Sequence, residues 1–220
     1  MQPLIILGAG GNCMDILDAV DAINHVAPTY TVLGFLDDDP ATMERQFFNK
    51  RVLGPLTDAC RYTDALFVNG IGSSTSYPDK PECIRKTELA PGRFATIVHP
   101  GAVVSPSASL GPGTVLLANA TVCARAVLDT HVMVLPQCVI SHDCTVKSHA
   151  ILASGAVLCG EVAVEEGCYL GAASVVLGGL EVGARSLVGA GSVVTRNVPP
   201  DTVVCGNPAR PLRPAPPATR

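Results

Sequence analysis

The sequence predicts an α/β plus all-β protein, a small α/β domain followed by a parallel β-helix of triangular coils, and three observations carry that reading. From Val98 to Val194 an aliphatic residue stands at every sixth position, seventeen times without a break. Two places before each of these, from Thr96 to Ser192, fourteen of the seventeen residues are small (Thr, Ala, Cys or Ser). Ahead of the repeat, short aliphatic runs alternate with a glycine-rich turn and a helical pattern, as in a βαβ unit.

A helix repeats near 3.6 residues and a strand every two, so a strict period of six requires a chain that turns a corner every six residues. The aliphatic fills the inside of each flat side, and the small residue fits where less room remains. Three such hexads close one triangular coil. Stacked coils pair as short parallel strands, and the span makes a little over five of them.

The elements of the first part follow in order. Leu4–Leu7 reads as a buried strand, Gly8-Ala9-Gly10-Gly11-Asn12 as a tight turn, and Met14 to about Asn24 as a helix. A second strand, Thr31–Leu36, ends in Asp37-Asp38-Asp39; a third, Ala65–Asn69, runs into Gly70-Ile71-Gly72-Ser73-Ser74. In a parallel sheet these three loops share the carboxyl edge, where ligands bind. Between Pro40 and Asp64 the pattern is less regular, with a short helix at Thr57–Tyr62. The division falls at residues 1–94, 95–210 and a Pro-rich tail, 211–220, expected to be unstructured.

Composition excludes several classes. A net charge of −4 gives no electrostatic case for nucleic acid or an anionic membrane. Met1-Gln2-Pro3 lacks the basic segment of a signal peptide, and no apolar stretch approaches the roughly 20 residues that span a bilayer. The nine cysteines form no CxxC pair, and Cys138, Cys144 and Cys168 fall on the small inward site. A reduced, cytoplasmic chain is expected.

Candidate chemistry sits at two places. Gly8, Gly10 and Gly11 allow backbone N–H groups to approach a phosphate at a helix start, although the same residues also make a purely structural turn. Cys13 stands where a dinucleotide fingerprint would have Gly or Ala, which argues against NAD. Asp37 and Asp38 suit a ligand's hydroxyl or amino groups, or simply a solvated turn. In the repeat, His142 lies two places after the inward Ile140 and so points outward, with Asp143 beside it. A carboxylate next to an imidazole orients it as a general base, though a solvated loop would look the same.

The chain resembles the NeuD/PglD family of sugar O- and N-acyltransferases. The matching stretches are Ile6-Leu7-Gly8-Ala9-Gly10-Gly11, Gly34-Phe35-Leu36-Asp37-Asp38, Ile71-Gly72, Ile97-Val98-His99-Pro100, Val139-Ile140-Ser141-His142-Asp143-Cys144, Val188-Gly189-Ala190-Gly191-Ser192 and Gly206-Asn207-Pro208-Ala209. The resemblance implies a Rossmann-like amino-terminal domain, a left-handed parallel β-helix, a homotrimer, and acetyl-CoA as acyl donor with no metal. It implies that His142 is the catalytic base and Asp143 its support. It places Gly10, Gly11, Asn12, Asp37, Asp38 and Gly72 on a nucleotide-sugar substrate, and Ile151, Gly160, Ala172 and Ala190 on acetyl-CoA.

Three departures stand out against the family pattern. Asn12 replaces a common His, Ile151 occupies a site where some members carry a second His, and Ser73-Ser74 replaces an Asp or Asn, with Tyr77-Pro78 to Pro81 altering the next helix start. The expected reaction is acetyl transfer to the amino group of a nucleotide-linked amino sugar. The rivals are O-acetylation of a sugar, as on sialic acid, and a noncatalytic sugar-nucleotide-binding subunit. A zinc hydratase on outward histidines is disfavoured, because His142 and His149 are too far apart in sequence.

Overall fold

In the computed structural model, residues 1–43, 46–47 and 49–219 are described. The first part is a five-stranded sheet of order β3-β4-β2-β1-β5, built from β1 (Gln2–Leu7), β2 (Tyr30–Leu36), β3 (Gln46–Phe47), β4 (Lys50–Gly54) and β5 (Leu66–Asn69). Strands β4, β2, β1 and β5 run parallel, and β3 closes a hairpin on β4 that the irregular region did not predict. Residues 57–62, expected as a short helix, lie on a 3-10 turn at Leu56–Arg61.

Helix α1 (Gly11–Val26) crosses from β1 toward β2 and buries Cys13, Ile16, Leu17, Ala19 and Val20. That apolar stripe has the i, i+3, i+4, i+7 spacing of a helix face turned to a core. A short α2 (Lys80–Arg85) follows β5.

From β6 (Ile97–Val98) to β22 (Val193–Val194), seventeen two-residue strands follow, one every six residues, and β6 to β19 each pair in parallel with the strand three further on. The chain therefore winds a triangular prism with three flat faces, and the coil is left-handed. The inward aliphatics from Leu116 to Val194 are essentially unexposed, packed with Ala120, Ala126, Cys138, Cys144, Ala150, Ala156 and Cys168 in one ladder-like core. Burying a Val or Leu side chain contributes roughly 1.5–3 kcal/mol, so the ladder is the main source of the prism's rigidity.

Every corner from Gly113 to Gly191 carries one left-handed residue three places after the inward aliphatic, with φ between 55° and 73°. Only Gly takes this conformation freely, yet Asn119, Arg125, His131, Gln137, Asp143, His149, Glu161, Ala173 and Arg185 also adopt it. What holds them is the coil before: Asp143 N donates to Ala124 O at 3.0 Å, His149 N to Thr130 O at 3.1 Å, and Glu161 N to His142 O at 3.0 Å.

The three outer faces differ. On the first, Ile97, Val115, Met133, Ile151 and Leu187 are buried beneath Ile16, Ala19, Val20 and Tyr77. On the second, Val103 is exposed and Thr121, Val139, Val157, Val175 and Val193 are half-buried. The third shows Ser109, Val127, Thr145, Ala163 and Glu181.

The tail departs from expectation. Residues Arg210–Pro214 form β24, antiparallel on β23 (Thr202–Cys205), and Thr219 donates its N–H and hydroxyl to the Asp79 carboxylate at 2.5 and 3.0 Å. Proline is compatible with an edge strand, where one side of the backbone needs no donor.

Candidate active site

The three loops at the carboxyl ends of β1, β2 and β5 converge on one pocket of about 370 Å³. Its walls include Gly8 to Cys13, Asp37, Gly70 to Ser73 and Ser76, and its floor is Leu135, Ile151 and Tyr169 of the first prism face. Helix α1 begins here with Gly10 at its N-cap, no side-chain cap and no acidic residue in its first turn. The positive end of the helix dipole is therefore uncompensated, which suits an anion.

Polar bonds stiffen the rim. Asn12 Nδ2 donates to Gly72 O at 2.6 Å, tying the glycine turn to the loop after β5. Asp37 accepts from Ala9 N at 2.7 Å and from Asp39 N at 2.8 Å, so one carboxylate fixes two loops. Gly72 has φ 138°, and a Cβ there would run into Ile151. No other residue lets this loop approach the prism so closely.

Two expected residues are placed differently. The Asp38 carboxylate caps Leu56 N at 2.9 Å and pairs with Lys86 Nζ at 3.1 Å, so it braces the sheet and does not line the pocket. Ile151, expected on the acetyl-CoA side, is fully buried on the first face and forms part of the pocket floor. Its position on an outward strand site, beneath the Gly72 loop, explains the difference. The wall and floor also include Ser76, Leu135 and Tyr169, which the sequence did not single out.

His142 lies elsewhere, on the edge between the second and third faces. Its side chain is 58% exposed, and its Nδ1 is 2.8 Å from Asp143 Oδ2. The Arg125 guanidinium grips Asp143 with Nε to Oδ1 at 2.6 Å and Nη2 to Oδ2 at 2.7 Å. Arg125 first, and then His142, hold the Asp143 carboxyl at about 2, so it stays ionised at any working pH. An ionised carboxylate favours the proton on Nδ1, leaving Nε2 as the free base. Gly160, one coil on, lies directly against the ring: a Cβ there would stand 2.6 Å from Cε1 and Nε2. Ala172 and Ala190 are exposed on a different edge, between the first and second faces.

Of the other two outward histidines of the repeat, His131 is buried and His149 half-buried. His131 and His149 stack at 5.4 Å on the edge between the third and first faces, with Phe94 edge-on to His131 at 4.5 Å. Lys80, wholly buried, donates to His131 O at 2.5 Å. Burial lowers His131 to about 3 and His149 to about 4, and lowers Lys80 to about 7. Among the described residues, no three His, Cys, Asp or Glu side chains gather as a metal cluster.

Solved structures share this architecture over the whole chain. The acetyltransferase domain of PglB from Neisseria gonorrhoeae matches with a TM-score of 0.84 at 26% identity, covering 96% of this chain and 100% of that one. PerB from Caulobacter crescentus, solved in complex with CoA and GDP-perosamine, matches at 0.83 and 26%, covering 97% and 98%. The chain is an acyltransferase, similar over its whole length to sugar N-acetyltransferases of the NeuD/PglD kind. WeeI from Acinetobacter baumannii, at 21% identity and a TM-score of 0.75, shares the fold. No family profile and no curated protein matches this acyltransferase.

Proposed function

We propose that this acyltransferase moves an acetyl group from acetyl-CoA to the amino group of a nucleotide-linked amino sugar, with His142 as general base. The observation that carries this is the His142–Asp143–Arg125 arrangement, an exposed imidazole whose Nδ1 is held by an ionised carboxylate. The imidazole Nε2 takes a proton from the amine as nitrogen attacks the thioester carbonyl, and CoA leaves as the thiol. Cys138, Cys144 and Cys168 are buried in the prism, so no acyl-cysteine is formed on them. Two neighbours of known structure support the chemistry: one carries acetyl-CoA, and the other carries CoA with GDP-perosamine.

In this reading the diphosphate of the substrate lies at the start of α1, against Gly10, Gly11 and Asn12, with Asp37 and Gly72 completing the rim; Asp38 acts only through the sheet. Gly160, Ala172 and Ala190 line the route of acetyl-CoA, where small side chains leave backbone groups within reach. His142 is not among the residues that line the nucleotide pocket, so the site is completed between subunits of a homotrimer. The valine ladder of the second face, still partly exposed, supports such packing, because it is an apolar strip in need of a partner. The unit before residue 95 binds the substrate and the prism performs the transfer.

The test is thiol release from acetyl-CoA in the presence of UDP-, GDP- and dTDP-linked 3-amino and 4-amino sugars. Release with one amino sugar and none with its hydroxyl counterpart is expected. Release with the hydroxyl sugar alone would make it an O-acetyltransferase, and tight binding of a sugar nucleotide without release would make it a binding subunit.

A further inference from the structure

We propose that Arg125 is a positioning residue for the transfer reaction, acting on His142 through Asp143 and touching neither substrate. The inference rests on His142 being the base. Arg125 and Asp143 are 18 residues apart, one coil, and both are left-handed corner residues with φ 59°. Stacked corners place their side chains side by side. Three donors converge on two carboxylate oxygens: Arg125 Nε on Oδ1, and Arg125 Nη2 together with His142 Nδ1 on Oδ2.

Asp143 is 30% exposed and, without the fork, would be free to turn toward water. A bidentate guanidinium removes that freedom, because both oxygens must stay in its plane. The fixed Oδ2 then sets the ring plane and keeps the proton on Nδ1. Gly160 leaves room for the ring in that pose, where a Cβ would stand 2.6 Å from Cε1 and Nε2.

The other charged group on this edge is Glu161, one coil beyond Asp143, and the nearby thiols are Cys123, Cys144 and Cys159. Among the described residues, none of these is hydrogen-bonded to the imidazole or the guanidinium.

The experiment compares R125Q, R125K, D143N, the R125Q/D143N double variant and H142A in the full-length protein, using acetyl-CoA and the best amino-sugar acceptor. R125Q should lower kcat roughly tenfold, a part of what a general base supplies, with KM for both substrates within about twofold. R125K should recover only part of kcat, because an ammonium cannot hold both carboxylate oxygens in one plane as the guanidinium fork does. The double variant should be no slower than D143N, because Arg125 has nothing left to hold.

Wild-type kcat in R125Q, beside an inactive H142A, would overturn this proposal alone. A loss in R125Q that persists undiminished in the D143N background, or that appears in KM for acetyl-CoA, would show Arg125 meeting substrate directly and overturn it too. Near-normal turnover in H142A would remove the base assignment and this proposal with it.

Discussion

Two edges of one prism carry outward histidines, and they have opposite fates. On the edge between the second and third faces His142 is open to solvent and joined to a carboxylate. On the edge between the third and first faces His131 is only 8% exposed, and His131 and His149 each bury an Nδ1 with no partner among the described residues. The repeat sends all three outward, His142 two places after an inward aliphatic and His131 and His149 three places after. The amino-terminal domain makes the difference: Phe94 and Lys80 close over one edge and leave the other free. A histidine becomes a base or a wall according to what the rest of the chain lays on it.

That contrast can be broken from either side. On the open edge, Gly160→Val pushes the His142 ring out of its pose, and turnover should fall by roughly a hundredfold, within the range a misplaced base costs. Thermal stability should hardly change, because the ring is exposed; circular dichroism melts beside thiol-release rates would show it. A melt that collapsed along with the rate would mean the corner is structural.

On the covered edge the effects should reverse. His131→Ala removes a ring packed against Phe94 and His149 and should cost about 2–4 kcal/mol of unfolding free energy. Rate per folded molecule should stay within a few fold. A large fall in rate with unchanged denaturant midpoint would place this edge in the chemistry.

Acid should act through the same buried pair. Folding lowers His131 to about 3 and His149 to about 4, both below the ordinary 6.5. The unfolded chain therefore binds more protons, so their contribution to stability is complete above about 6.5 and is lost as pH falls toward 4 and then 3. Urea midpoints should drop over that window in the wild type and drop less in His149→Gln.

Lys80 gives the smallest and most specific signal. Burial lowers it from 10.5 to about 7, so the unfolded state again holds the proton longer, and stability rises as pH is raised from 7. Lys80→Met should flatten the difference between urea midpoints at pH 7.0 and 8.5. An unaltered slope would mean that Lys80 is solvated in solution.

Much of this was legible in the sequence, and the exceptions have physical causes. The sixfold period specifies the prism because each flat side must turn an aliphatic inward, while the small site still accommodates Val132, Val162 and Leu180. The glycine turn and the loops after β2 and β5 reach one pocket because a parallel sheet sends its carboxyl ends to one edge. Asp38 stands apart from the pocket because Lys86 and Leu56 N claim its carboxylate, a difference from Asp37 that two neighbouring carboxylates in a turn do not show in sequence. Ile151, read by its offset from His142, belongs to a face and not to an edge, which a count of three hexads per coil would have revealed. Arg125 was missed for a related reason: its partner is a full coil away, and the period of eighteen was used to build the fold but not to look for pairs. The tail's strand and its bond to Asp79 depend on contacts across the molecule that composition does not encode.

The most direct test of the account is turnover of H142A and H149A, assayed side by side with acetyl-CoA and the preferred nucleotide-linked amino sugar at neutral pH. H142A should lose about 10²- to 10⁴-fold in kcat while keeping its fold, and H149A should stay within a few fold per folded molecule. Comparable rates from H142A and wild type, or a greater loss in H149A than in H142A, would contradict it.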